Sequence, residues 1–193
     1  MNKTKKIDVI IPTYHPDEKL ERCLRMLKRQ TIQPQRILLI NTEEEFFHSI
    51  VFSTFKQGEI VHITKPEFDH GGTRNQAARM CDGEIMILLT QDAIPADEYL
   101  IENLLKPFED EEVCAAYGRQ MADKKDNPIE AYTRIFNYPK ESRIKSKKDL
   151  PELGIKTFFC SNVCAAYRKS EYDALGGFPL HTIFNEDMIF ASH

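Results

Sequence analysis

The chain has 193 residues, with 26 lysines and arginines against 30 aspartates and glutamates, a formal charge of −4, and 41% hydrophobic residues. One domain is expected, burying roughly 70% of the surface its unfolded chain would expose, and the apolar fraction excludes intrinsic disorder. The mildly acidic balance excludes a general nucleic-acid binder, which needs a net basic face, and no apolar run reaches the ~18 residues of a membrane span.

Read from the start, the basic stretch Met1–Lys6 is followed by an apolar run that stops at Pro12, too early for a secretory signal. The expected location is therefore cytoplasmic, with at most peripheral contact at the inner face of a membrane. Ile7–Ile11, with Asp8 within it, Ile37–Ile40 and Ile85–Leu89 are short apolar runs without alternation, as in strands covered on both faces. Between the first two, residues 16–30 place Leu20, Cys23, Leu24 and Leu27 on one helical face. A shorter strand, Ile60–Ile63, precedes a second helix, expected to start at Thr73 through a Thr73-x-x-Gln76 capping box and to stop before Gly83. A third helix is expected from about Asp97, with Leu100, Ile101, Leu104 and Leu105 on one side.

Further along, 113–118 reads as a strand and 129–137 as a short helix. The basic run Lys140–Lys148 reads as a solvated loop or as a mobile loop that attracts a phosphorylated ligand. Strand character resumes over 158–167, and 174–179 is a turn. This alternation implies an α/β fold with a mostly parallel sheet and right-handed crossovers. The five cysteines are odd in number and irregularly spaced, which argues against a disulfide framework or a zinc site.

Open parallel sheets bind ligands beyond the carboxyl ends of their strands. The residues at those ends are Pro12-Thr13-Tyr14-His15, Asn41-Thr42-Glu43, Phe68 to Asn75, and Thr90-Gln91-Asp92-Ala93, all polar in character. Gly71-Gly72 opening a helix offers amides and a positive dipole end to an anion, and Arg74 adds a fork suited to a diphosphate; alone, the segment reads as a turn with a surface arginine. Asp92 suits a hard divalent cation shared with nucleotide phosphates, or equally a cap of the next turn. Glu186-Asp187 suits either a helix N-terminus or acid–base work. His15, His70 and His181 read as surface hydrogen-bonding residues rather than ligands. Asn162 faces an acceptor or pairs with backbone.

In combination, Val9–Tyr14, Gly71–Asn75, Leu89–Pro95 and Asn185-Glu186-Asp187 resemble the family-2 glycosyltransferases of the GT-A fold, and within them the rhamnosyltransferase-type branch. The resemblance covers nearly the whole chain and implies a three-layer α/β sandwich forming a single catalytic domain over 1–193. By the same resemblance, Pro12, Thr13 and Tyr14 flank the nucleotide base and ribose, and Glu43 contacts the base. Arg74 faces the diphosphate, and Thr90-Gln91-Asp92 occupies the Asp-x-Asp position. Thr90 departs from that pattern, leaving Asp92 as the metal-linked carboxylate with fewer protein ligands. Glu186 and Asp187 match the acidic pair, with Asp187 the expected base.

The implied chemistry is metal-dependent and inverting. Mg²⁺ or Mn²⁺ neutralises the leaving diphosphate while one carboxylate takes the acceptor's proton. The implied donor is a nucleoside-diphosphate sugar such as dTDP-rhamnose, and the acceptor a saccharide or a lipid-linked glycan. Enzymes of this kind continue past the acidic pair, so a domain shortened at its C-terminal end is expected. A nucleotide-sugar-binding fragment without efficient transfer is the alternative. A sugar-1-phosphate nucleotidyltransferase ranks lower, because its Gly-Thr-Arg signature follows the first strand, whereas Gly72-Thr73-Arg74 follows a later one.

Overall fold

The computed structural model describes residues 5–122 and 127–193. In chain order the strands are β1 (Ile7–Tyr14), β2 (Arg36–Thr42), β3 (Gly58–Ile63), β4 (Ile85–Leu89), β5 (Ala115–Tyr117) and β6 (Cys164–Arg168). The helices are α1 (Glu18–Lys28), α2 (His70–Met80), α3 (Leu100–Leu105), α4 (Pro128–Asn137), α5 (Leu150–Leu153), α6 (Lys169–Ala174) and α7 (Glu186–Ala191). They form one six-stranded sheet in the order β3-β2-β1-β4-β6-β5. Strands β1 to β4 pair in parallel, while β6 runs antiparallel to both β4 and β5.

The continuous apolar runs exist because the sheet is covered twice. From β1, Val9 and Ile11 pack with Leu20, Leu24 and Leu27 of α1 and Ile101 and Leu104 of α3. Ile10 points the other way, into a core with Ala77 and Ala78 of α2, Tyr172 of α6 and Phe190 of α7. A side-chain period of two on β1 thus feeds two separate cores. Asp8 lies fully buried in this strand, its carboxylate accepting from the amides of Asp82 and Gly83 at 2.9 and 2.8 Å and from Gln35 Nε2 at 3.0 Å. Those bonds tie the lead-in of β4 to β1 and satisfy a charge that would otherwise be prohibitive inside.

Several boundaries differ from expectation. Helix α2 begins at His70, not Thr73, because Asp69 is the N-cap: its Oδ1 accepts from the Gly72 amide at 2.6 Å. Thr73 Oγ1 accepts in turn from the Asp69 amide at 3.2 Å. A carboxylate in extended conformation caps as well as threonine and adds favourable charge at the dipole's positive end. Helix α3 starts at Leu100, since Asp97 Oδ1 accepts from the Tyr99 amide and holds a turn there. The strand expected over 158–167 begins only at Cys164. The preceding residues form a short 3₁₀ stretch, 154–158, followed by a turn.

The basic run also differs from a plain solvated loop. Arg143 pairs with Glu152 and Asp149, each at 2.9 Å, and Lys145 donates to the carbonyls of Lys156 and Phe159. All five cysteines are free thiols. Burial pushes Cys23, Cys81 and Cys164 up to about 12 and Cys160 up to about 11, so these four are protonated, hydrophobic fillers.

Gly71 is required by close approach. A Cβ there would lie 2.1 Å from the Pro179 carbonyl oxygen, a backbone atom with no freedom to withdraw. Gly71→Ala is expected to destabilise the protein by about 1–3 kcal/mol through overpacking, read as a lowered urea midpoint at unchanged slope. The glycine pair expected to greet an anion is thus accounted for by packing at Gly71, and the Gly72 amide is taken up by Asp69.

Candidate active site

Parallel pairing aligns the carboxyl ends of β1, β2 and β4 on one rim, and antiparallel β6 brings its amino end to the same place. Three clusters assemble there. In the first, Thr13 Oγ1 donates to Asn41 Oδ1 at 3.0 Å, and Asn41 Nδ2 donates to the Glu43 carbonyl at 3.1 Å. Gln91 grips the Tyr14 backbone with both ends of its amide, Oε1 accepting at 2.9 Å and Nε2 donating at 3.0 Å. The loops after β1, β2 and β4 are therefore fixed to one another, with Pro12 half-buried and the Tyr14 ring exposed beside Lys65, whose Nζ lies 5.6 Å from the ring centroid.

The second cluster is the Asp92 loop. Asp92 is exposed, and its Oδ1 accepts from Thr90 Oγ1 at 2.7 Å. Thr90, which departs from the Asp-x-Asp pattern, holds the carboxylate that remains. The Thr90 amide donates to the Val163 carbonyl at 3.1 Å, joining this loop to the segment before β6. Among the described residues no three His, Cys, Asp or Glu side chains gather as a metal site. One exposed carboxylate of hard oxygen donors still fits Mg²⁺ or Mn²⁺ when phosphate oxygens complete the shell, which is the usual way Mg²⁺ is bound.

The third cluster is the acidic pair at the start of α7. Arg74 Nη1 lies 3.4 Å from Glu186 Oε1, and both side chains are only 8% exposed. The same Arg74 nitrogen donates to the His70 carbonyl at 2.8 Å, while Nε is buried without a partner. Asn162 connects the pair: its Nδ2 donates to Glu186 Oε1 at 3.2 Å and its amide to Asp187 Oδ2 at 2.9 Å. Its own Oδ1 accepts from the Tyr167 hydroxyl at 2.8 Å. The Met188 amide donates to Asp187 Oδ1 at 2.8 Å.

Burial lifts the Asp187 carboxyl above the ordinary aspartate range, and neighbouring Glu186 lifts it further. The Asn162 and Met188 amides and Arg74 act in the opposite direction. Asp187 opens into a cavity of about 370 Å³ whose walls include Gln120, Tyr138, Phe159, Ser161 and Asn185.

Of the residues singled out from sequence, Arg74, Glu186 and Asp187 meet in one network, and Thr13, Tyr14, Glu43 and Gln91 in another, with Pro12 beside Thr13 on β1. Asp92 contacts neither directly but hangs between them on the Thr90–Val163 link. Arg74 does not present a free guanidinium to solvent, as a diphosphate clamp would; it is neutralised by Glu186. His15 lies 3.6 Å from Glu43 and stacks on Phe46 at 3.9 Å. His181 approaches Asp69 at 3.6 Å and is exposed. The non-glycine residues with positive φ among those described, His15, Glu43, His181 and Asn185, lie in the loops after β1 and β2 and in the approach to α7. Strained backbone of this kind clusters at functional sites.

Asn162, read from sequence as facing an acceptor or pairing with backbone, instead bridges Glu186 and Asp187, a role with no periodic or motif signal. Asp69 was legible as a cap, standing three residues before Gly72, but Thr73 competed for that part.

A parallel α/β sandwich with a carboxylate loop and an arginine-paired acidic couple at one rim is the GT-A architecture. The chain belongs to glycosyl transferase family 2, whose family model matches residues 8–176. It is 44% identical over 188 residues to the O-antigen chain rhamnosyltransferase RfbN of Salmonella typhimurium, covering 97% of this chain and 60% of that protein. It is 41% identical over 186 residues to the O-antigen chain rhamnosyltransferase WbaN of Salmonella anatum, covering 95% of this chain and 59% of that one. The chain therefore spans about three-fifths of the length of these relatives. Among solved structures, the mannosyltransferase PcManGT of Pyrobaculum calidifontis, in complex with GDP-Man and Mn²⁺, superposes with a TM-score of 0.62 at 19% identity. That match covers 92% of this chain and 48% of the other, and it is a likeness of fold.

Proposed function

We propose that the protein transfers a rhamnose-like sugar from a nucleoside-diphosphate donor to a saccharide or lipid-linked acceptor during assembly of an O-antigen-type polysaccharide, with inversion at the anomeric carbon. One observation carries this reading: Asp187, its carboxylate oriented by two amides, opens into the cavity beside the buried Arg74–Glu186 pair. The identity of the rhamnosyltransferase relatives supports the donor class.

In this mechanism the acceptor hydroxyl lies in the cavity and gives its proton to Asp187. Its oxygen forms a bond to the anomeric carbon as the bond to the diphosphate oxygen breaks. A single carboxylate acting on one side gives one displacement, hence inversion. Pro12, Thr13, Tyr14 and Glu43 line the nucleotide side, held in place by Gln91. Asp92 is the residue that would hold Mg²⁺ or Mn²⁺ alongside the diphosphate, and such an ion would supply electrostatic stabilisation of the leaving group. Arg74 contributes through Glu186 and Asn162, keeping the base in position. Among the described residues no helix is long and apolar enough to cross a membrane.

The direct test is incubation with dTDP-rhamnose, Mn²⁺ and a rhamnose-accepting glycan, following nucleotide release and the anomeric configuration of the product by NMR. Release with a product of retained configuration would overturn the single-displacement mechanism. Donor binding without product would favour the binding-fragment reading instead.

A separate expectation concerns Asp92. Nucleoside diphosphate with Mn²⁺ at about 100 times its Kd should stabilise the protein by about 2.7 kcal/mol, a rise in Tm of about 5–10 °C. Asp92→Ala should lose most of that rise while the ligand-free Tm stays put, because Asp92 is exposed and, among the described residues, its side chain hydrogen-bonds only to Thr90. An undiminished shift in thermal denaturation would remove Asp92 from metal binding.

A further inference from the structure

Tyr167 is a buried titratable side chain that the proposed transfer leaves unused. It lies on β6 and is 1% exposed, with its backbone pinned between Met86 of β4 and Ala115 of β5 by antiparallel pairing on both sides. Its ring packs edge-on against Phe178 and Phe190, each at 5.6 Å between centroids. For packing alone, phenylalanine would fill this place without the cost of burying a hydroxyl. The hydroxyl has two neighbours. It donates to Asn162 Oδ1 at 2.8 Å, and the Cys160 sulfur lies 3.3 Å away. A tyrosine carries one hydroxyl proton and Asn162 takes it, so the thiol, kept protonated by burial, is the donor on the other side.

Asn162 is 3% exposed and sits in the turn 161–164 that leads into β6, closed by the Cys164 amide donating to the Ser161 carbonyl at 3.1 Å. The two ends of its side-chain amide have opposite demands. Nδ2 donates to Glu186 Oε1 at 3.2 Å, an oxygen that can only accept, so Oδ1 faces Tyr167. Glu186 rides on α7, whereas Tyr167 is anchored in the sheet. With its side chain held at both ends, Asn162 donates its backbone N–H to Asp187 Oδ2 at 2.9 Å.

We propose that Tyr167 is a positioning residue for Asp187: its hydroxyl ties the Asn162 side chain to the sheet and so keeps the Asn162 amide directed at the Asp187 carboxylate. This role deepens the transferase reading and rests on it for what Asp187 does. Without the hydroxyl, Asn162 Oδ1 loses its donor from the sheet, and the backbone bond to Asp187 slackens with the turn. That bond favours the carboxylate, so Asp187 should then titrate at higher pH. The charged and titratable groups around Asp187 are Glu186 beside it, Arg74 of α2, Tyr138, Cys160 and Tyr167, with Glu130 and Arg134 of α4 on the cavity wall. Burial pushes Tyr138, Cys160 and Tyr167 up, so none of these three changes charge at acidic pH.

The test is Tyr167→Phe, read by ¹³C NMR of the intact protein labelled at aspartate Cγ, with the Asp187 signal identified by its absence from Asp187→Asn. Complete loss of a hydrogen bond to a charged group corresponds to about 1–2 pH units, so a slackened one should raise the Asp187 midpoint by about 0.5–1 unit. Tyr172→Phe is the control. It removes another hydroxyl from the same core, 6.1 Å away between ring centroids but bonded to Asn75, and should leave the midpoint in place. Asn162→Ala should raise the midpoint by itself, and adding Tyr167→Phe to it should change nothing more, because the effect passes through that side chain. In the transfer assay Tyr167→Phe should lower kcat about 10-fold with donor KM within about twofold. A midpoint unmoved by Tyr167→Phe, moved equally by Tyr172→Phe, or moved again in the Asn162→Ala background overturns the proposal, as does a parental kcat. The titration needs no sugar nucleotide, so absence of transfer by the parent protein would sink the transferase reading while the Asp187 midpoint still judges the role of Tyr167.

Discussion

Asp187→Asn is expected to lower sugar transfer by about 10²–10⁴-fold, the usual contribution of a positioned general base, while leaving donor affinity within about twofold. Asparagine keeps the size of the side chain and can still accept one of the two amide hydrogen bonds from Asn162 and Met188. It cannot take a proton from the acceptor. The pH dependence gives a second, independent readout. Transfer needs the carboxylate, and burial holds its pKa above the ordinary aspartate value of ~3.9. As pH falls through that raised value the base becomes protonated and kcat/KM declines; as pH rises past it, activity reaches a plateau. The acidic limb should therefore lie higher than an exposed aspartate would place it, and it should vanish from the residual rate of the asparagine variant. Turnover close to that of the parent would remove Asp187 from the chemistry.

The second large effect is on stability. Glu186→Ala leaves the Arg74 guanidinium buried without its counter-charge, a loss expected to be about 3–5 kcal/mol. Against a total stability of ~5–15 kcal/mol, that shift moves the urea midpoint far toward zero. The asymmetry is diagnostic. The double variant Arg74→Met with Glu186→Leu should be within about 1 kcal/mol of the parent or more stable, because neither charge then has to be desolvated. A double-mutant cycle by urea denaturation measures the coupling directly. Glu186→Ala as stable as the parent would mean the pair is solvated. Glu186→Gln carries a linked prediction for activity: removing the negative charge beside Asp187 lowers its pKa, so the acidic limb moves down.

Much of the fold was legible because burial on both faces of a sheet leaves an unmistakable pattern. Ile37–Ile40 and Ile85–Leu89 could be apolar throughout only as interior strands, as could Ile7–Ile11 apart from Asp8, and each sits inside β1, β2 or β4. Helix α1 was equally plain, with Leu20, Cys23, Leu24 and Leu27 fully buried along one stripe. Boundaries were less legible where short polar residues compete. Asp69 and Thr73 can each cap α2, and only the backbone of the preceding loop, extended at Asp69, chooses between them. The segment 158–167 failed as a single strand because Asn162 directs its amide to Asp187 rather than to a sheet neighbour. A hydrogen bond across 25 positions has no trace in local periodicity.

The candidate site divides in the same way. Pro12 to Tyr14, Asp92 and the acidic pair could be read as polar ends of apolar strands, since a parallel sheet collects such ends on one rim. What could not be read is who touches whom. Arg74 looked like a free fork for phosphate, yet Glu186 occupies it, and Thr90 turned out to brace the carboxylate it stands beside.

By itself, then, the order of residues determined the layering of the sheet and helices and the polarity of the rim, because those follow from which side chains avoid water along each element. The tertiary structure alone decided that Arg74 and Glu186 are buried together and that Asn162 orients Asp187. Such facts depend on distances between segments far apart in the chain, where a shift of an ångström or two decides whether a charge is paired, and no nearest-neighbour pattern encodes that.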